Sequence, residues 1–141
     1  MKKVGSLASA LKKYSEMNAS VRVGVLENAT YPDGTPVAMV AFWNEYGTKT
    51  SPVRAFFRTT VSDQKKNWVL SVQNLMKMHD DPKKVMGLIG EHMRGQIVQS
   101  INTWTDPPNA PYTVAMKGFN KPLVDQGIMM RSISFEVGGD E

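Results

Sequence analysis

The chain is predicted to be an α+β protein, an antiparallel β-sheet packed against two long α-helices, with extended loops between the elements. Two observations carry that prediction. Residues 21–25 and 132–137, near opposite ends of the chain, alternate in character with period two, as half-buried strands do. Between them, apolar residues recur every three or four positions over 60–78 and again over about 82–104. At 141 residues, with 41% hydrophobic and 21% charged content, the chain is long enough to bury a core as one domain spanning 1–141. Its composition argues against wholesale disorder.

In chain order, Leu7, Leu11, Tyr14 and Met17 set a short amphipathic helix over 6–17, which suits docking on its own core or on a neighbouring subunit. Val21-Arg22-Val23-Gly24-Val25 is a strand, taken as 20–26. Glu27 to Gly34 is turn-rich, and Pro32-Asp33-Gly34 has its own turn mechanism. Thr35-Pro36 then reads as a helix start, with Thr35 at the N-cap and Pro36 as first helical residue. Val37, Val40, Ala41 and Asn44 share one face, and Phe42 with Tyr46 form the neighbouring one. Gly47 is placed to end the helix in a left-handed conformation.

Thr48, Lys49, Thr50, Ser51 and Pro52 follow as an exposed polar loop before Arg54-Ala55-Phe56-Phe57 returns to the core. This frame reads as an interaction element. Arg54, beside two large rings, is expected to be held by a carboxylate, with Glu45 the leading partner. The alternative is a guanidinium lying over Phe56.

From Thr60 to Met78 the positions Val61, Trp68, Val69, Val72, Leu75 and Met76 make one helix, with Ser62 or Asp63 near its start. Asp81 as N-cap and Pro82 as first residue open the next, along which Met86, Ile89, Met93, Ile97, Ile101 and Trp104 form the apolar line. Gly87, Gly90 and Gly95 each cost up to ~1 kcal/mol there against alanine. Either another helix approaches closely, or packing rescues a marginal segment.

Pro107, Pro108 and Pro111 forbid regular structure over 105–111. Residues 113–118 suit one helical turn closed by Gly118. Asp125 suits the N-cap of a short turn ending near Arg131. The second strand, with Ile133, Phe135 and Val137 facing in, precedes a loose tail from Gly138 to Glu141.

The absence of cysteine excludes disulfides and thiolate metal sites, and two isolated histidines disfavour a histidine-rich one. Asp80-Asp81 is explained by capping, and His79 by its place at a helix end. Glu91-His92 lacks the second histidine of a zinc-binding helix, and neither a Gly-x-Ser-x-Gly elbow nor a glycine-rich phosphate loop is present. The expectation is a protein that is not an enzyme and has no cofactor or metal. No apolar run reaches the ~20 residues of a membrane span, and no signal-peptide core follows Lys2-Lys3. The net charge of +4 is spread over scattered lysine pairs, which read as solvated helix faces. A nucleic-acid-binding module is the alternative from another class.

Two stretches carry a resemblance. Trp104-Thr105-Asp106-Pro107-Pro108-Asn109-Ala110-Pro111-Tyr112-Thr113, Lys117-Gly118, Lys121-Pro122-Leu123-Val124-Asp125-Gln126-Gly127 and Arg131-Ser132-Ile133 resemble the tail-completion, or head–tail joining, proteins of long-tailed bacteriophages, close to the phage virion-morphogenesis family. Val40-Ala41, Asn44-Glu45-Tyr46-Gly47-Thr48 and Pro52-x-Arg54-x-Phe56 resemble the same family's N-terminal signature. Gln126 stands where such proteins usually have Thr, and Ala55 where they often have Pro.

The resemblance implies a structural virion protein of the neck, assembled in the host cytoplasm. It would form a homo-hexameric ring between the head-completion or connector protein and the tail tube or tail terminator. DNA would pass through the lumen without specific binding. A tail terminator capping the tube is the neighbouring alternative. Interaction residues are expected at Glu45, Thr48, Lys49, Thr50 and Arg54, and at Asp106, Asn109, Tyr112, Lys117, Lys121, Asp125 and Arg131. The second group falls in a long segment, 107–131, whose Tyr112, Phe119, Leu123 and Met129 call for burial. Subunit contacts are expected to draw on it.

Overall fold

The computed structural model describes residues 18–26, 28–104 and 127–139. In order these form β1 (Ala19–Val25), α1 (Val37–Tyr46), α2 (Phe56–Met78), α3 (Pro82–Thr103), α4 (Ile128–Ser132) and β2 (Ile133–Gly139). The expected helix over 6–17 and the turn over 113–118 lie outside the described residues.

The two ends of the described chain pair with each other. β1 and β2 run antiparallel, Val21 opposite Val137, Val23 opposite Phe135 and Val25 opposite Ile133. These three pairs put the β-branched and aromatic side chains on one face, where the period-two pattern requires them. Arg22 and Glu136, opposite one another on the other face, form an exposed ion pair at 2.8 Å. β2 continues through Gly138 and Gly139, which pair with Ser20 and Ala19, so the tail expected there is strand. Gly139 suits the position because a Cβ would lie 2.4 Å from the Asn18 carbonyl oxygen.

A two-stranded sheet needs a covering element to be stable, and α3 supplies it, packing on both strands. The close approach is made at Gly90, where a Cβ would fall 2.5 Å from Phe135 and 2.8 Å from Val21. Gly87 and Gly95 meet nothing within 4 Å. One of the three glycines therefore has a packing reason, and what approaches it is the sheet, not another helix.

The long helices divide the packing. α3 lies against the sheet on one side and α2 on the other, and this wide burial takes in Val85, at 0% exposure, besides the expected line. α2 needs only a narrow stripe, through Trp68, Val72, Leu75 and Met76. Val69, expected to face inward, is 57% exposed for that reason. The Trp68 indole N–H donates to Gln96, whose amide donates to Gln64 at 3.1 Å, so the α2–α3 seam has a satisfied polar link. One cluster gathers Trp68, Met76, Val85, Met86 and Ile89. Another gathers Val37, Phe56, Ile97, Ile101, Met129 and Ile133 at the end where α1 and α4 pack.

Helix starts follow two rules here. Asp81 accepts from the Lys83 amide at 3.0 Å with Pro82 as the first helical residue, the expected local cap. α1 differs from expectation, since its N-cap is Pro36, in extended conformation, rather than Thr35. Thr35 is engaged elsewhere. Its carbonyl accepts from the Tyr31 amide and its amide donates to Asp33, both at 2.9 Å. The Val37 amide is satisfied by the Ala29 carbonyl at 2.9 Å, so a strand-like bridge does the work of a capping side chain.

Candidate interaction surface

α1 is apolar almost all round, and the fold buries only part of it. Val37 enters the core and Val40 and Ala41 pack against it. Met39, Phe42, Trp43 and Tyr46 remain 42–58% exposed. Their spacing of three, four and seven residues places them in one stripe along the helix. The Phe42 and Tyr46 rings stack with centroids 4.7 Å apart. Val53, also half exposed, comes from the following loop.

The one charged residue of α1 is buried. Glu45 is 7% exposed, and its carboxylate serves the start of α2. It accepts from the amide of Phe57 at 2.5 Å, from the amide of Arg58 at 3.3 Å and from Arg58 Nε at 3.0 Å. Arg58 also donates to the Glu45 carbonyl and lies 4.5 Å from the centre of the Tyr46 ring. A helix start carries amides without intrahelical partners and a partial positive charge. Glu45 supplies both an acceptor and a negative charge from another helix. α2 accordingly begins at Phe56, four residues before the expected Thr60, and Phe56-Phe57 are its first turn rather than a separate segment re-entering the core.

The partner expected for Glu45 was Arg54; the carboxylate is matched instead to Arg58, one helical turn further on. The Arg54 amide donates to the Asn44 carbonyl at 2.6 Å, and burial lowers the pKa of its guanidinium from the ordinary value. The following turn is tight: the Phe56 amide donates to the Arg54 carbonyl, and Ala55 sits at φ −82°, ψ 59°, an inverse γ-turn.

The loop between the helices is exposed at every residue from Thr48 to Pro52. It is also tied. The Thr48 hydroxyl accepts from the amides of Ser51 (3.0 Å) and Thr50 (3.3 Å), and the Thr48 amide donates to the Ser51 carbonyl. Gly47 has the expected positive φ, at 75°, but its ψ of 170° lies in a region nearly confined to glycine, away from the left-handed helical well.

Among the remaining expected residues, Arg131 is exposed at the end of α4, whose N-cap position is held by Gly127 in a left-handed conformation. Asp106, Asn109, Tyr112, Lys117, Lys121 and Asp125 lie outside the described residues. Arg58, Met39 and Trp43 were not singled out from sequence; the spacing 39, 42, 43, 46 was the signal for two of them. Among the described residues no helix is long and apolar enough to cross a membrane. Comparison with protein-family models, with curated proteins and with solved structures finds no match.

Proposed function

We propose that this chain is a structural component of a tailed-phage neck, joining the head connector to the tail tube as a ring subunit. One observation carries the reading. The residues that resemble the family's N-terminal signature are those that build the clasp between α1 and α2. Asn44 accepts from the Arg54 amide, Glu45 caps α2, Tyr46 stacks with Phe42 under Arg58, Gly47 makes the exit, and Thr48 ties the loop. Each of them positions an exposed surface, and none is arranged around a reacting group. That is what a subunit made for contacts needs.

The proposed partners are further copies in a homo-hexameric ring, the head-completion protein, and the tail tube or its terminator. The expected place is the virion neck. Electron microscopy of particles made without the protein tests the reading. Full heads separated from tails of normal length are expected. Overlong tails would assign a terminator role instead, and intact particles would refute both.

A further inference from the structure

We propose that the cleft between the first turns of α2 and the last turns of α3 binds a guanidinium group, the head of an arginine side chain presented by a partner protein. The proposal stands on the chemistry of the cleft and is independent of the neck reading.

The cleft encloses about 240 Å³, and every side chain that lines it is polar. Small-molecule sites run from about 300 to 1,000 Å³ and are mostly apolar. This smaller, wholly polar volume suits the head of one long side chain. Its walls are already tied to each other. At one end the Ser100 hydroxyl of α3 donates to the Phe56 carbonyl of α2 at 3.3 Å. Further along, the Gln96 amide donates to Gln64 at 3.1 Å. A guest therefore meets a formed site, and little ordering cost is subtracted from its binding.

The walls present mainly acceptors. A hydroxyl has one hydrogen and two lone pairs. Thr60, 7% exposed, donates its hydrogen to the Phe56 carbonyl at 2.7 Å. Ser100 donates to the same oxygen, and Thr103 to the Gln99 carbonyl at 2.8 Å. A carbonyl cannot donate, so the direction of these three bonds is fixed, and each hydroxyl retains only lone pairs for a guest. Asp63 adds the one charge of the lining, a carboxylate. Among the described residues it has no ion-pair partner. The donors that remain, on Gln64, Gln99 and Thr59, are all neutral.

The helix ends reinforce the sign. Ser100 and Thr103 lie in the last turn of α3, where backbone carbonyls carry a partial negative charge, and that turn has no basic residue. The opposite pole, at the start of α2, already has its counter-charge in Glu45.

These features discriminate among guests. An anion would meet Asp63 with no cation in the lining. A neutral guest would leave the carboxylate unmatched. A Ca²⁺ ion takes about six to eight oxygens and draws its affinity from the number of charged ligands. The described residues hold no group of three acidic, His or Cys side chains that could supply them. An ammonium carries its donors on one nitrogen, whereas a guanidinium spreads five across a plane and reaches a carboxylate with two at once. With Asp63 on one wall and the Ser100 and Thr103 oxygens on the other, the planar fork fits better. Free arginine fits worse than its side chain, because nothing in the lining would neutralise its own carboxylate.

Titration of the full chain with methylguanidinium chloride, followed by two-dimensional NMR, tests this. Saturable shifts are expected at the side-chain amides of Gln64, Gln96 and Gln99 and at the backbone amides of 59–64 and 99–103. Methylammonium should bind several times more weakly. Asp63→Asn should weaken methylguanidinium binding roughly tenfold with the melting curve near wild type, since this exposed carboxylate supports no other described group. Thr103→Val, on the opposite wall, should weaken it by a smaller factor. An unchanged affinity there would reduce the site to simple attraction by Asp63 and overturn the two-walled cleft. Non-saturable shifts, equal binding of methylammonium, or a response to Ca²⁺ but not to the probe would overturn the proposal. So would a wild type that ignores the probe while Asp63→Asn melts well below it, the signature of a basic group of the chain's own in the cleft. L-arginine binding more tightly than the probe would overturn the side-chain assignment in favour of the free amino acid. Sedimentation in the same titration identifies the partner. Self-association that methylguanidinium dissolves assigns the arginine to a second copy, and a monomer that binds the probe assigns it to a different protein.

Discussion

Replacing Glu45 by alanine should cost about 2–3 kcal/mol, most of it from the start of α2. Glu45 is 7% exposed, and its carboxylate accepts from two consecutive amides and from Arg58. Loss of a helix cap costs about 1–2 kcal/mol, and a charged acceptor in a dry site lies at the upper end. The Arg58 side chain is 51% exposed, so water replaces much of what it loses, and its pairing adds about 0.5 kcal/mol. Arg58→Ala should therefore cost less than about 1 kcal/mol, even with its contact to the Tyr46 ring removed. Glu45→Gln should fall between, near 1–2 kcal/mol, because one amide oxygen still accepts while the NH₂ group meets an N–H donor. Urea unfolding followed by tryptophan fluorescence would read each as a shift in midpoint at constant slope. If Arg58→Ala costs as much as Glu45→Ala, the ion pair dominates and the capping argument fails. A Glu45→Ala protein within about 0.5 kcal/mol of wild type would refute both roles.

Gly90→Ala should destabilise by about 1–3 kcal/mol, since the new methyl would lie 2.5 Å from Phe135. Gly87→Ala and Gly95→Ala, with open space around them, should each stabilise by up to ~1 kcal/mol, and equal effects at all three sites would contradict the packing described. Asp33 has its pKa lowered, first by the hydrogen bond from the Thr35 amide and then by the Thr35 side chain. A depressed carboxyl pKa gives stability that is present above the unfolded value and lost as pH falls through the folded one. An NMR titration of Asp33 should therefore show a midpoint below the ordinary aspartate value, and Asp33→Asn should remove that part of the acid sensitivity. Thr48→Val should leave thermal stability within about 0.5 kcal/mol yet speed hydrogen exchange at Thr50 and Ser51, and unchanged exchange would mean the hydroxyl does not tie the loop.

What could be read from the sequence was what neighbouring residues decide among themselves. The period-two stretches became the paired strands because alternation alone separates a core face from a solvent face. Asp81-Pro82 opened α3 because acceptor and amide are two residues apart. Where local rules erred, a distant group had intervened. Thr35 suits an N-cap, but the Val37 amide it would serve is taken by the Ala29 carbonyl from across the turn. The start of α2 at Phe56 has no local side-chain cap, and the amides of Phe57 and Arg58 are taken by Glu45 on another helix. Val69 lies one residue from the buried Trp68, and only the narrowness of the α2–α3 seam decides that it stays outside. The exposed stripe was half legible: Phe42 and Tyr46 were seen as a face, but sequence could not show that nothing within the described fold covers it.

The clasp explains how exposed surface can also be ordered surface. A loop that must be fixed on docking costs about 1–2 kcal/mol for each residue ordered, and that cost is subtracted from affinity. In this chain the Thr48 hydroxyl, the Arg54–Asn44 bond and the γ-turn at Ala55 already hold the loop backbone. Glu45 fixes the axis of α1 against α2, so Trp43 and its neighbours keep their direction without being buried. The Glu45 carboxylate, costly to desolvate at a contact, is turned inward and satisfied, leaving rings and a loop of hydroxyls and Lys49 outside. Core stability and surface presentation thus depend on one carboxylate. A change at Glu45 should loosen the fold and the docking surface together, whereas a change at Trp43 should touch only the second.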